Sequence, residues 1–192
     1  MINLDNYILP RKFYERDTSK VARALLGKAL VKYSGLKIVG GIIIETEAYY
    51  GRDDPASHAY SGKTRRSKIM FGKPGIAYVY LCYGMYYLLN IVTESKEKPG
   101  AVLIRALRPI WGIDIMKRRR NTDNRLTDGP GKLTVALGID IKDNGADVVR
   151  RENGLYIFDY NKGNDNLKIT ITGRIGVKKG EDKLLRFLIK NE

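Results

Sequence analysis

The chain has 192 residues, a length that suits one domain, and 43% of them are hydrophobic, which is too many for a disordered chain. Lys and Arg number 35 against 21 Asp and Glu, so a net charge of +14 predicts a polyanionic partner, nucleic acid before an anionic membrane surface, unless the charge only keeps the protein dispersed. A single Cys and a single His exclude an internal disulfide and a Cys/His zinc site.

The sequence also lacks the patterns of a calcium site, a signal peptide and a membrane span. No carboxylates are grouped as in an EF-hand loop, so we expect neither a metal nor a cofactor. The first ten residues lack the charged-then-apolar order of a signal peptide, and no apolar run approaches the ~20 residues that span a bilayer. We therefore expect an intracellular protein that does not enter a membrane.

The first part of the chain predicts one helix, several strands and a long loop. Asp17, Thr18 or Ser19 can cap a helix that ends near Gly27. A long loop is predicted from 51 to 75, because this stretch is polar, basic and contains glycine. Strands are predicted at 29–31, 37–47 and 101–107, and strands rich in tyrosine and β-branched residues at 76–81 and 85–93.

The second part predicts two helices and further strands. Pro109 suits the first turn of a helix that runs to about Arg120, and Thr127 or Asp128 can cap another that ends at Gly138. Strands are predicted at 154–160, 167–173 and 184–189. Since strands and helices do not alternate regularly, the fold class is α+β. We expect a single domain over 1–192, with a curved, antiparallel-rich β core, short flanking helices and a β-rich C-terminal portion.

Tyrosine is unusually concentrated in the middle of the chain. Of 13 tyrosines, 8 fall between Tyr49 and Tyr87. In an extended strand Tyr78 and Tyr80 share one face. Such a row is either ordinary core material or a surface on which nucleic-acid bases stack.

Polar residues within apolar strands are the next candidates. Asn90 and Arg105 each interrupt a strand, and a buried polar group is costly unless it is paired. Glu47 ends the second strand, with Tyr49 facing the same way two residues later. Arg105 either forms a structural ion pair with Glu47 or Glu45, or lines a cavity. A Glu held near an arginine can polarise a water as a general base.

Two basic runs could contact phosphates. Between Ser61 and Pro74 there are five basic residues and no acidic one, which suits a phosphate-binding surface. The run 117–120 ends the predicted helix and is also explained by the helix dipole.

Read in order, these residues resemble the 3-methyladenine (alkyladenine) DNA glycosylase family of the non-helix-hairpin-helix type. The resemblance covers 9–139 and resumes at 174–177 and 185–187. It rests on the ordered motifs Ile44-Glu45-Thr46-Glu47-Ala48-Tyr49, His58, Met70-Phe71-Gly72-Lys73-Pro74-Gly75, Tyr78-Val79-Tyr80, Tyr83-Gly84-Met85-Tyr86, Asn90, Leu103-Ile104-Arg105-Ala106-Leu107 and Gly129-Pro130-Gly131-Lys132-Leu133.

The resemblance implies a monofunctional glycosylase that flips a damaged purine out of duplex DNA. We expect a monomer, because binding to an asymmetric duplex needs no partner. Glu47 would activate the attacking water and Arg105 would help to hold it. The other implied roles are base binding by Tyr49, His58, Tyr80 and Asn90, intercalation by Tyr83 and Met70, and DNA-backbone contacts by Lys63, Arg65, Arg66, Lys73 and Lys132. The implied lesions are 3-methyladenine, 7-methylguanine, hypoxanthine and ethenoadenine.

Two alternatives remain at this stage. The chain could be a basic, tyrosine-rich module that binds RNA or DNA without catalysis. It could also be a bifunctional glycosylase–lyase with a lysine amine as nucleophile, although no lysine stands at a matched catalytic position.

Overall fold

Eight antiparallel strands form one curled sheet in the computed structural model, which describes residues 7–160 and 167–190. The order is β3-β4-β5-β2-β1-β6, and β8 pairs with both β2 and β7. The strands are β1 (Ala29–Ser34), β2 (Lys37–Tyr49), β3 (Ala77–Cys82), β4 (Tyr86–Val92), β5 (Ala101–Trp111), β6 (Leu155–Phe158), β7 (Ile169–Thr172) and β8 (Arg186–Ile189). The predicted curved, antiparallel α+β domain is therefore confirmed.

The long central strand β2 positions most of the site. Its C-terminal part lies between β5 on one side and β8 on the other, with Glu47 opposite Leu103 of β5 and Arg186 of β8. Two register shifts near Glu45 bend this part of the β2–β5 ladder. A carboxylate in such a central position is removed from solvent and needs partners.

Short helices flank the sheet, as predicted. The helices are α1 (Arg11–Tyr14), α2 (Thr18–Leu25), α3 (Ile113–Arg120) and α4 (Pro130–Leu137). Asp17 caps α2 by accepting a hydrogen bond from the Lys20 amide, as the sequence indicated. The main core contains the apolar face of α2, and none of the described residues belongs to a helix that could cross a membrane.

Two predicted helix starts are wrong. Pro109 lies inside β5, opposite Gly41 at a register shift, and proline is tolerated in strands at such irregularities. The helix begins after Gly112 instead. The next helix starts at Pro130 after Gly129, whereas the Thr127 hydroxyl donates to the Leu107 carbonyl and Asp128 pairs with basic side chains.

The long loop 51–75 is irregular, as expected, but it is packed against the sheet. It contains one short 3₁₀ helix, Lys68–Phe71. Its buried side chains Ala59 and Met70 form a small apolar cluster with Tyr78 of β3 and Val92 of β4. This packing fixes the loop as one wall of a cleft.

Candidate active site

A cleft of about 790 Å³ lies between the loop 51–75, strands β3–β5 and the segment 175–179. The structure brings eight of the thirteen predicted site residues to its lining. These are Tyr49, His58, Arg66, Met70, Tyr80, Tyr83, Asn90 and Arg105. Glu47 lies directly behind this wall.

The Glu47 side chain is fully buried and receives three hydrogen bonds. The Ile175 amide donates to Oε1 at 2.8 Å, and the Tyr49 hydroxyl donates to Oε2 at 2.8 Å. Arg105 Nη1 lies 3.2 Å from the same Oε2. A carboxylate has about four acceptor positions, so one remains for a water or a substrate group. The predicted common orientation of Glu47 and Tyr49 is confirmed.

Arg105 pairs with both glutamates that the sequence offered. Its Nε donates to Glu45 Oε1 at 2.8 Å, in addition to the contact with Glu47. Arg186 of β8 donates from its own Nε to the same Glu45 oxygen at 2.6 Å. Arg105 thus both forms the structural ion pair and lines the cleft. The contact with Glu45 holds the Arg105 guanidinium in place.

A buried ion pair supports the ring of Tyr49 from behind. Arg174 and Asp54 are joined by two hydrogen bonds of 2.6 and 2.7 Å, and neither side chain is exposed. The guanidinium carbon of Arg174 lies 4.6 Å from the Tyr49 ring centroid. Burial alone would raise the pKa of Asp54, but hydrogen bonds from Arg174 and from the Tyr50 amide hold it below its usual value. Burial and the charge of Glu47 raise the pKa of Tyr49, so its hydroxyl keeps its proton.

His58 and Tyr80 form an aromatic wall of the cleft. Their ring centroids lie 4.6 Å apart in an edge-to-face arrangement, and His58 Nδ1 shares a 2.8 Å hydrogen bond with the Tyr78 hydroxyl. Burial, and then the charge of Arg66, lower the pKa of His58 to about 4. The imidazole is therefore neutral at pH 7.

Asn90 and Met70 lie at the bottom of the cleft. Asn90 is only 4% exposed, and its Nδ2 donates to the Tyr78 carbonyl at 3.3 Å. Met70 is 2% exposed within the small apolar cluster. A side chain this deep does not reach a duplex in this conformation, so its position does not support the intercalating role.

Tyr83 stands at the tip of the β3–β4 hairpin. Its backbone and that of Gly84 have φ values of 50° and 69°, which match the tight turn that joins such strands. The ring is 86% exposed, and Met85 beside it is 69% exposed. Sequence reasoning missed Met85, although its place in the same turn was a signal.

Of the five predicted backbone-binding residues, only Arg66 lines the cleft. Lys63, Arg65, Arg66 and Lys73 are exposed, but Lys63 pairs with Glu97 at 3.1 Å. Lys132 is half-buried and pairs with Asp128 at 2.9 Å. The exposed residues Lys178 and Lys179, which were not assigned a role from sequence, line the cleft as well.

The residues most clearly missed from sequence are Asp54, Arg174 and Ile175. The motif that contains Arg174 and Ile175 belonged to the resemblance, but nothing local indicated a contact with Glu47 or Tyr49. Within 7–160 and 167–190, no group of three or more His, Cys, Asp or Glu side chains could hold a metal ion.

Comparisons with known proteins agree on one family. The profile of the family described as methylpurine-DNA glycosylase (MPG) matches residues 12–192. A protein of Carboxydothermus hydrogenoformans is 48% identical over 189 residues, covering 96% of each chain, and one of Methanocella arvoryzae is 49% identical over 190 residues, covering 96% of this chain and 93% of its own. A Legionella pneumophila protein is 48% identical over 186 residues, covering 95% and 94%. All three carry the provisional name 3-methyladenine DNA glycosylase.

Proposed function

Because this chain belongs to the methylpurine-DNA glycosylase family, whose members hydrolyse N-glycosyl bonds of alkylated bases in DNA repair, we propose a specific mechanism for its cleft. The damaged purine leaves the duplex stack and enters the cleft, because the glycosidic carbon is out of reach of the protein inside an intact helix. A water activated by Glu47 then breaks the glycosidic bond. The enzyme is monofunctional and acts as an intracellular monomer.

The aromatic walls suit recognition of an extruded base. Tyr49, His58 and Tyr80 all line the cleft, and in the proposed complex a planar purine stacks between Tyr49 on one side and His58 with Tyr80 on the other. A cationic alkylated base is favoured by the electron-rich tyrosine faces. Asn90 at the bottom of the cleft would crowd the exocyclic amino group of undamaged guanine. The substrates that we propose are 3-methyladenine, 7-methylguanine, hypoxanthine and ethenoadenine.

Exposed and half-buried residues around the cleft stabilise the flipped state of the DNA. Tyr83 at the hairpin tip inserts its ring into the gap that the base leaves, as apolar wedges do in kinked duplexes. Lys63, Arg65, Arg66, Lys73 and Lys132 bind phosphates, and the ion pairs of Lys63 and Lys132 would exchange for these contacts. Met70, in contrast, supports the inner wall of the base site.

The chemical step uses the free acceptor position of Glu47. The carboxylate takes a proton from water while the water oxygen bonds to C1′ and the bond between C1′ and the purine nitrogen breaks. The bonding electrons leave with the base, so a cationic alkylated purine departs neutral. Arg105 orients the carboxylate and the water, and the Ile175 amide fixes the second carboxylate oxygen. Water reaches Glu47 when the bound base shifts the Tyr49 ring and its hydroxyl.

One observation carries this proposal: a fully buried carboxylate, held by three donors, lies directly behind an aromatic-lined cleft. The test is Glu47→Gln on a duplex with one hypoxanthine, ethenoadenine or 7-methylguanine. Base release is read as strand cleavage after alkali. We expect lesion binding to persist and single-turnover release to fall at least ~100-fold, the usual contribution of a general base.

Glu152→Gln is the matched control, because this exposed glutamate lies away from the cleft and should leave the rate unchanged. Near-normal release by Glu47→Gln would overturn the assignment. Strand cleavage without alkali, with a borohydride-trapped adduct, would instead indicate a lyase, for which Lys178 and Lys179 are the lysines that line the cleft.

A further inference from the structure

Two tyrosines of the cleft each carry an arginine on one ring face. Arg174 lies over Tyr49 at 4.6 Å, and Arg66 lies over Tyr80 at 4.7 Å, both measured from the guanidinium carbon to the ring centroid. Guanidinium groups at this distance make cation–π contacts. Each arginine therefore weakens the electrostatic attraction that the tyrosine ring beneath it would exert on a cationic base.

The two arginines differ in how their charge is compensated. Arg174 is buried and joined to Asp54 by two hydrogen bonds, so that pair is neutral as a unit. Arg66 is exposed, lines the cleft, donates a 3.4 Å hydrogen bond to the Leu81 carbonyl oxygen and also interacts with the Tyr78 hydroxyl, and neither partner carries a compensating negative charge. Among residues 7–160 and 167–190, no carboxylate lies within ion-pair distance of it. Its field reaches the base site, since it also acts on His58.

From this asymmetry we infer that Arg66 is a specificity-determining residue, which disfavours cationic purines relative to neutral ones in the same cleft. The inference rests on the proposed function, because it concerns which lesion the cleft accepts. It also gives Arg66 a role distinct from phosphate binding, which would act on every lesion alike.

The two lesions differ by one unit of charge. A 7-methylguanine base carries one positive charge more than a hypoxanthine base before the bond breaks. As the bond breaks, both bases gain the same electron density, so the difference of one charge persists into the transition state. Repulsion from Arg66 therefore appears in the ratio of kcat/KM values, whichever step limits the rate.

The size of the effect follows from the distance. A base stacked about 3.5 Å from the far face of Tyr80 lies roughly 8 Å from the Arg66 guanidinium. With an effective dielectric constant of about 20 to 40, two unit charges at this separation change an equilibrium about 5- to 30-fold. Neutralising Arg66 should change lesion discrimination by a similar factor.

The experiment uses two duplexes of the same sequence, one with 7-methylguanine and one with hypoxanthine, competing for the full-length protein in one reaction. The relative kcat/KM is measured for the wild type, Arg66→Gln and Arg65→Gln. Arg65 is the matched control, because it is exposed and adjacent but does not line the cleft. Both substitutions remove one charge from the DNA-binding surface.

We expect Arg66→Gln to raise the ratio of 7-methylguanine to hypoxanthine at least 5-fold, and Arg65→Gln to leave it within 2-fold of the wild type while weakening both reactions. An unchanged ratio in Arg66→Gln, or an equal shift in both variants, overturns the inference. If the wild-type protein releases only 7-methylguanine, the inference is also contradicted. If the wild-type protein releases only hypoxanthine, the inference is supported provided that Arg66→Gln gains release of 7-methylguanine. Failure of the proposed function is a separate result: the wild type would then release neither base.

Discussion

The Arg174–Asp54 pair offers the sharpest test of how the C-terminal segment supports the site. Arg174→Met keeps much of the side-chain length but leaves the Asp54 carboxylate buried without its cation. Breaking a buried pair in this way usually costs ~3–5 kcal/mol. Asp54 retains hydrogen bonds from the Tyr50 and Ala56 amides at 3.0 and 3.3 Å, so we take the lower end, about 3 kcal/mol.

Thermal and urea unfolding measure this loss directly. For a protein of this size each kcal/mol lowers Tm by about 2–4 °C, so a decrease of roughly 6–12 °C is expected at pH 7. The Asp54 pKa is depressed in the native protein, so its contribution is complete at neutral pH and is lost only as pH falls through that value. In the variant, burial without the cation favours protonation, which removes the unpaired charge, so the difference from the wild type should begin to shrink already above the ordinary Asp pKa of about 4 as the pH falls.

Two further variants make the reasoning refutable. Arg118→Met removes an exposed arginine from α3 and should change stability by less than about 0.5 kcal/mol. The double variant Asp54→Asn/Arg174→Met removes the unpaired charge and should regain part of the stability lost by Arg174→Met. A loss below about 1 kcal/mol at pH 7, or no recovery in the double variant, would show that the pair does not hold this segment in place.

The remaining predictions concern the aromatic residues of the cleft. Because the chain contains one histidine, its ¹H NMR imidazole signals are unambiguous, and they should titrate with a midpoint near pH 4; a midpoint of about 6.5 would contradict the burial and the influence of Arg66. Tyr83→Ser should weaken binding to lesion-containing duplex about 10-fold with little change in Tm, since the ring is exposed, whereas Tyr60→Ser, an exposed tyrosine that does not line the cleft, should leave binding unchanged.

Patterns of short range were sufficient to predict much of the site. The period of two along β2 put Glu47 and Tyr49 on one face, and the same period put Tyr78 and Tyr80 side by side in β3. The cost of burying a polar group singled out Asn90 and Arg105, with a cavity position as one of the alternatives, and both residues line the cleft. These inferences succeeded because each needs only a few neighbouring residues and the cost of burying a polar group.

The sequence could not predict what depends on pairing between distant segments. Asp54 and Arg174 are 120 residues apart, and the Ile175 amide meets a carboxylate 128 residues earlier in the chain. Pro109 was misplaced for a related reason: its preference for a first helical turn was overridden by the pairing of β5 with β2. The close approach of β5 at Pro109 requires a glycine at position 41 of β2, since a Cβ at Gly41 would lie 2.1 Å from the Arg108 carbonyl oxygen.

The distribution of charge separates the task of binding DNA from that of chemistry. Behind the cleft, three carboxylates and three guanidinium groups are paired with one another: Glu45, Glu47 and Asp54 with Arg105, Arg174 and Arg186. This interior is neutral as a set, so it neither attracts DNA nor repels it. The exposed cations at or beside the cleft mouth, Arg65, Arg66, Lys178 and Lys179, have no ion-pair partner among the described residues, and we expect them to supply the attraction to a polyanion. Salt should therefore weaken lesion binding steeply, yet change single-turnover base release from the bound complex little.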